Sequence, residues 1–404
     1  MENAKKDALE RFLRYVKIDT QSDDKSETTP SALKELNLAK LLKEELEEIG
    51  LKAEIDEYGR LYSHLDGEGN TDVIGLNSHI DTALECSGKD VKPQIITNYD
   101  GKGIKLNDEF VLSPKDFPAL KEHIGDTLVT TSGDTLLGGD DKAGVALIMS
   151  LVAYLKKNPE IKHHPLAILF TPDEEIGRGP EHFNKEKFGA KYAYTVDGDY
   201  PNHVDIDNFN AAHAELTFKG VEIHPGEAKE KMINAISLAM EFDRLLPSFD
   251  RPENTEGFEG FNHLLHIEGS SGFAKTNYIL RNHDKNRLAK QKEDFENALT
   301  FLKNKYPKAQ ISLNIEDDYH NMHEVLLAHP EAITHAEKAF KKIGLTPLHL
   351  PVRGGTDGAT FSFKGCPTPN LGTGSYNHHG RYEYLSVRDF NLMWDILLSI
   401  VTTF

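Results

Sequence analysis

The sequence predicts an α/β protein with a smaller α+β domain inserted into it, and three observations carry that prediction. The chain has 404 residues, beyond the roughly 250–300 at which a single hydrophobic core stops growing. Helical and extended hydrophobic patterns alternate through its first half, the order expected of a sheet covered by helices. From about residue 208 the order changes to β-α-β-β-α-β, the split ferredoxin-like arrangement, over a stretch long enough to fold alone.

Residues 8–16 and 32–49 carry apolar side chains at three- and four-residue spacing with Lys and Glu between them, the pattern of amphipathic helices. Gly50 follows the second as a C-terminal stop. Extended runs lie at 52–56, 61–65 and 73–77, then a helix at 142–156 and strands at 166–171 and 192–196. Between Thr82 and Gly138 the pattern weakens, with short extended runs at 94–97 and 128–131. Structureless loops of that length are uncommon inside a compact domain, and the mixed apolar content predicts an ordered, partly β insertion. The second domain reads as strand 211–219, helix 228–245, strands 260–269 and 274–282, helix 284–306 and strand 310–317. Alternation then resumes with a helix at 329–343, an extended run at 346–351 and a last helix at 387–401. The expected domains are therefore 1–207 with 320–404, and 208–319 inserted between them.

Acidic residues outnumber basic ones by 65 to 46, a net charge of -19, which argues against nucleic-acid and anionic-membrane partners because both need a basic footprint. Cys86 and Cys366 are the only cysteines, too few for a disulfide scaffold and too far apart for a Cys-x-x-Cys motif. The polar N-terminus lacks a secretory pattern, and the longest nearly apolar stretch, 144–155, is short of a bilayer span. A soluble cytoplasmic protein is expected.

Five polar clusters follow apolar runs that read as strands or lie in loops, and ligands of open α/β sheets bind at strand ends. In Ser78-His79-Ile80-Asp81-Thr82, His79 and Asp81 share one face of an extended segment, so one can ligate a metal while the other orients its ring. Gly138-Gly139-Asp140-Asp141-Lys142 opens a helix, where either aspartate also suits an N-cap. The two glycines point to a backbone held in an unusual conformation near a ligand. In Thr171-Pro172-Asp173-Glu174-Glu175, three successive acids at the end of a buried strand repel one another unless a cation compensates them. Asp197-Gly198-Asp199 and Asn377-His378-His379-Gly380 are weaker taken singly, as a turn and a loop. Together the set makes a mixed nitrogen and oxygen ligand sphere suited to zinc, manganese or cobalt.

These clusters, with Arg353-Gly354-Gly355-Thr356-Asp357-Gly358 and His224-Pro225-Gly226, resemble the M20 metallopeptidases, a family of co-catalytic zinc exopeptidases and aminoacylases. The resemblance runs over nearly the whole chain. It implies a mixed-sheet catalytic domain with an inserted lid and dimerisation domain, two zinc ions (or cobalt or manganese), and a homodimer. It further implies that Asp140 bridges the ions, with His79 and Asp197 completing one and Glu175 and His379 the other. Asp81 would hold His79, and Glu174 would be the general base. The residues by themselves leave both Asp140 and Asp141 open as the bridge.

The branch of the family that the chain most resembles removes the N-terminal residue from tripeptides. Peptide carbonyls are poor electrophiles and neutral water a poor nucleophile, which is why such chemistry calls for metal ions and a base. The resemblance makes His224 the donor to the tetrahedral oxyanion, delivered from the inserted domain of a dimer partner. Arg281 and Arg353 are candidates for the substrate carboxylate, since guanidinium suits bidentate recognition; a surface ion pair is the plainer account of each. The segment 83–137 is expected to wall off the amine end of the cleft. A second reading keeps the site and changes the substrate to dipeptides or N-acylated amino acids. A third, a noncatalytic binding module, conflicts with the retention of all five candidate ligands and Glu174.

Overall fold

The computed structural model describes residues 1–69 and 71–404. The chain divides into two compact units, one of Met1–Ile206, Glu324–Leu350 and Thr356–Phe404, the other of Asp207–His323 and Pro351–Gly355.

The first unit is built on a mixed seven-stranded sheet in the order Ala53–Ile55, Leu61–Leu65, Leu166–Thr171, Ile74–His79, Tyr192–Gly198, Asn370–Gly372, Val204–Asp205. Four adjacent central strands, from Leu166–Thr171 to Asn370–Gly372, run parallel, and the outer ones are antiparallel. Parallel strands are normally covered on both faces, and the side chains show it. Leu166, Ile168 and Phe170 join a core with the helices Glu2–Tyr15, Glu35–Glu48, Gly139–Lys157, Glu331–Lys342 and Val387–Val401. Ala167 and Leu169 point the other way, into a smaller cluster with Phe183, Phe188 and Phe361. The helix expected at 142–156 is Gly139–Lys157, buried nearly all round.

The 83–137 segment is ordered. Its strands Gln94–Ile96 and Leu128–Thr130 form a four-stranded antiparallel sheet with Tyr384–Ser386 and Ser375–Tyr376. Tyr99, Ile104, Leu106, Leu112, Leu120 and Leu128 pack there with Tyr376 and Tyr384. The insertion thus shares a sheet with the hairpin whose loop carries His378 and His379.

The second unit holds four antiparallel strands in the order Phe261–Gly269, Phe273–Asn282, Asn210–Lys219, Gln310–Tyr319, with helices Ala235–Leu245 and Lys285–Lys305 on one face. Ala212, Ala214, Leu216 and Phe218 face that core, while the alternate His213 and Lys219 are exposed. Pro351–Gly355 joins this unit: Val352 N–H donates to Asp207 O at 2.8 Å, and Arg353 Nη1 donates to Gly257 O and Glu259 O at 2.9 and 2.7 Å.

Three sequence expectations shift. The helix expected at 228–245 begins at Ala235, capped by Asn234, whose side chain accepts from Ser237 N–H. Ile233 instead bridges Val221, an apolar residue in β pairing that mimics the helical period. The expected 329–343 helix is Glu331–Lys342, starting after Pro330, with a separate helix His323–Ala328 before it. Residues 346–351 form only isolated bridges, at Leu348 and Pro351. No helix among the described residues is long and apolar enough to cross a membrane.

Candidate functional site

The register of the central strands brings the polar motifs of the first unit to one edge. His79 pairs with Thr171, and Asn77 with Thr195, so His79, two residues past Asn77, lies level with Asp197, two past Thr195. The Asp173-Glu174-Glu175 turn leaves the sheet beside them. Gly139–Lys157 starts at the same edge, but Asp140 and Asp141 have non-helical dihedrals, so the regular helix begins at Lys142. Asp173 and His379 adopt left-handed backbone, with φ of 59° and 64°, a conformation uncommon for non-glycine residues and concentrated where a site holds it in place.

Asp140 sits between two groups of candidate ligands. Its Oδ1 is 2.8 Å from His79 Nε2, which lies 3.4 Å from Asp197 Oδ1. Its Oδ2 is 3.2 Å from His379 Nε2, which lies 3.1 Å from Glu175 Oε2. His379 takes position in a loop between the Ser375–Tyr376 and Tyr384–Ser386 strands, and its neighbour His378 also approaches Asp140 Oδ2, at 3.5 Å. Donor atoms of His79, Asp140 and Glu175 lie within 4.8 Å of one another, as do those of His79, Asp141 and Asp197.

Asp141 is nevertheless committed elsewhere. Its carboxylate accepts from Ser78 Oγ, from His79 N–H at 3.2 Å and from Gly144 N–H at 3.2 Å. It fastens the helix start to the strand, and Gly144 approaches so closely that a Cβ there would meet Val196 O at 2.0 Å. The geometry separates the adjacent aspartates, which their sequence could not.

The three successive acids also divide. Both oxygens of Asp173 accept from Ser31 N–H, at 3.0 and 2.8 Å, and Glu35 accepts from Asp173 N–H at 3.1 Å. Asp173 therefore anchors the turn. Asp81 accepts from Glu174 N–H at 3.0 Å, Glu175 N–H at 3.1 Å and Ser22 Oγ at 2.5 Å. Its Oδ1 lies 3.3 Å from His79 Nδ1, within ion-pair distance but off the line of a hydrogen bond. One buried carboxylate thus faces the His79 ring and holds the turn that presents Glu174 and Glu175.

The electrostatics are those of an acid cluster short of positive charge. Burial pushes Glu174 well above the usual carboxylate range despite the opposing field of His79. Burial raises Glu175 to about 7 and Asp197 to about 6. Asp140 is resisted by burial but held well below the usual range by His378, His379 and His79. Contacts with Asp140 and Glu175 push His379 up to about 12. Among the described residues, no Lys or Arg pairs with Asp140, Glu174, Glu175 or Asp197. Glu175 Oε1 is buried with no hydrogen-bond partner. A buried carboxylate oxygen left free, among imidazoles and further carboxylates, fits divalent cations of the zinc, manganese or cobalt type.

The remaining candidates belong to the second unit. His224 is exposed, its Nδ1 accepting from Gly226 N–H at 3.2 Å. Arg281 uses Nη1 on Ala212 O and Leu280 O, both at 3.0 Å, and on Asp318 at 3.3 Å. Arg353, besides the two carbonyls above, donates to Thr255 Oγ1 at 2.8 Å and lies over the rings of Phe209 and Phe261.

Two acids near the site escaped the sequence reading. Glu85, at the start of the insertion, is 3.3 Å from His379 Nδ1. Glu383 is buried against the Asp140 loop.

Residues 136–403 match the peptidase family M20/M25/M40. The chain is 47% identical over 405 residues to "Peptidase T" of Geobacillus sp. (strain WCH70), covering 99% of each, and 46% identical over 400 residues to "Peptidase T" of Clostridium acetobutylicum, covering 98% of each. Its fold is similar to that of the aminopeptidase PepT from Bacillus cereus, with TM-score 0.77, 21% identity and 98% of each chain covered. It is likewise similar to a tripeptidase from Staphylococcus aureus, with the same three values, and to a dinuclear metal-binding M20 peptidase from Bacillus subtilis, with TM-score 0.66, 14% identity, and 100% and 98% of the two chains covered. With the family match spanning most of the chain and full-length relatives near half identity, this protein belongs to peptidase family M20/M25/M40.

Proposed function

We propose that the protein is a dinuclear zinc aminopeptidase that hydrolyses the N-terminal peptide bond of tripeptides. The observation that carries this reading is the division of the Asp140 carboxylate, one oxygen toward His79 and Asp197 and the other toward His379 and Glu175. The names of the full-length relatives support the substrate. In this reading His79, Asp140 and Asp197 hold one ion, and Asp140, Glu175 and His379 the other. When bound, such cations supply Lewis acidity, polarising a carbonyl and lowering the pKa of water at the site.

The chain's own groups do the rest. Glu174 takes the proton of the attacking water on its carboxylate and delivers it to the departing amine nitrogen. Asp81 keeps the His79 ring turned and fixes Glu174 through its backbone N–H. His224 donates to the developing oxyanion, and Arg281 or Arg353 grips the C-terminal carboxylate. The first unit forms the catalytic domain, and the second the lid, which also serves a homodimer. The 83–137 insertion closes the amine end. The protein works in the cytoplasm.

The test is an assay of one free tripeptide, its N-acetylated form and the matching dipeptide. Release of the N-terminal residue from the free tripeptide alone is expected. Preference for the acetylated peptide or the dipeptide would replace this reading with a deacylase or dipeptidase.

A further inference from the structure

Glu383 is 1% exposed and belongs to no ion pair among the described residues. Its carboxylate instead reaches across to a segment some 245 residues earlier. Oε2 accepts from Leu137 N–H at 2.7 Å and Gly138 N–H at 2.8 Å, and Oε1 accepts from Asp140 N–H at 3.0 Å. A buried carboxylate is costly unless it is fully hydrogen-bonded, and these three N–H groups are what the Asp140 loop, outside any helix ladder, would otherwise leave unsatisfied. The loop is shaped around it. Gly138 is left-handed at φ 81°, and a Cβ on Gly139 would stand 3.0 Å from Glu383 Oε1 and 2.8 Å from Ser375 Cβ. Of the two glycines that the sequence associates with a nearby ligand, Gly139 leaves room for Ser375 and Glu383.

Glu383 follows His379 by four residues at the foot of the same hairpin. The carboxylate therefore ties the loop that carries the proposed bridging ligand to the loop that carries a ligand of one ion. We propose that Glu383 is a positioning residue for the metal pair: it sets Asp140 against His379 before any cation arrives. This rests on the metallopeptidase reading above. Groups that orient metal ligands typically cost 10–100-fold in metal affinity when removed.

Glu383→Gln isolates the effect. An amide has one accepting oxygen, so whichever way it turns, its NH₂ meets at least one of the three N–H donors. Chelator-stripped wild type and variant are titrated with zinc in competition with a chromophoric chelator, and tripeptide turnover is measured at saturating zinc. The expected result is zinc binding weakened by about 10–100-fold, with kcat reduced and KM nearly unchanged. Wild-type zinc affinity in a folded variant would overturn the proposal and leave the peptidase reading standing, whereas a wild type that takes up no zinc would overturn both. Should the variant not fold, hydrogen exchange decides on metal-free wild type. Slow exchange at Leu137, Gly138 and Asp140 is expected, and exchange at the rate of an open loop would overturn the proposal.

Discussion

Replacing each of the two adjacent aspartates by alanine should give different phenotypes, although they are neighbours in the chain and both border the acid cluster. Asp141→Ala removes the acceptor of two buried backbone N–H groups, those of His79 and Gly144. Each buried donor left unpaired costs about 1–3 kcal/mol. Ser78 Oγ keeps its bond to Asp141 O at 3.0 Å, so it adds little, and relief of the buried carboxylate offsets part of the loss. The net destabilisation of the metal-free protein is about 2–5 kcal/mol. Asp140→Ala removes no acceptor of a backbone N–H. It deletes the carboxylate that His378, His379 and His79 hold well below the usual range, so the metal-free protein loses those contacts while Glu175 and Asp197 are relieved of its repulsion, and metal content rather than stability is what tells this variant apart. Its metal content should fall from two ions to none. Trp394, the only tryptophan, lies fully buried in the core of the first unit, so its fluorescence follows that unit through a urea titration. Metal content is read by mass spectrometry after gel filtration. An Asp140→Ala protein that keeps both ions, or an Asp141→Ala protein whose metal-free form unfolds at the wild-type midpoint, would refute the division of roles.

Three further outcomes follow from the same structure. Glu174→Gln should lower kcat by about 10²–10⁴-fold, the range for loss of a general base, while metal content stays at the wild-type level; undiminished turnover would remove Glu174 from its role. His224→Ala should lower kcat on tripeptides with metal content unchanged, and a normal kcat would reject the oxyanion assignment. Asp205, at the sheet edge, is pushed from its ordinary 3.8 up to about 7 by burial and the field of Asp199, against a hydrogen bond from Asn370. The folded state therefore binds a proton that the unfolded chain has released, so this group costs stability increasingly as pH rises from about 4 to 7. Asp205→Asn should stabilise the protein by on the order of 2–4 kcal/mol at pH 8 and far less at pH 4.5. An equal effect at both values would contradict the shift.

The layout of the site was legible because its chemistry is local in sequence: acids and histidines directly after apolar strand runs mark the carboxyl edge of a parallel sheet. His79, Glu174, Glu175 and Asp197 are of this kind. The split β-α-β-β-α-β order of the second unit was equally legible from alternation of period two with period three to four. What the sequence could not convey depends on partners far along the chain. Asp140 and Asp141 are indistinguishable until Ser78 and Gly144 are seen to claim one of them. Asp173 looks like a third active acid until Ser31 and Glu35 are seen to hold it. Glu383 has no motif at all, since its three partners are backbone amides of glycine-rich loop some 245 residues away. Ile233 was misread for the opposite reason: its local spacing continues a helical pattern, but a single bridge to Val221 outweighs it.

The account depends on the two oxygens of Asp140 serving two different cations. Anomalous scattering at the zinc edge, from crystals of protein grown with zinc, measures this directly. Two peaks about 3.5–4 Å apart are expected, one against Oδ1 with His79 and Asp197, the other against Oδ2 with Glu175 and His379. A lone peak, or density against Asp141 with Asp140 bare, would contradict it.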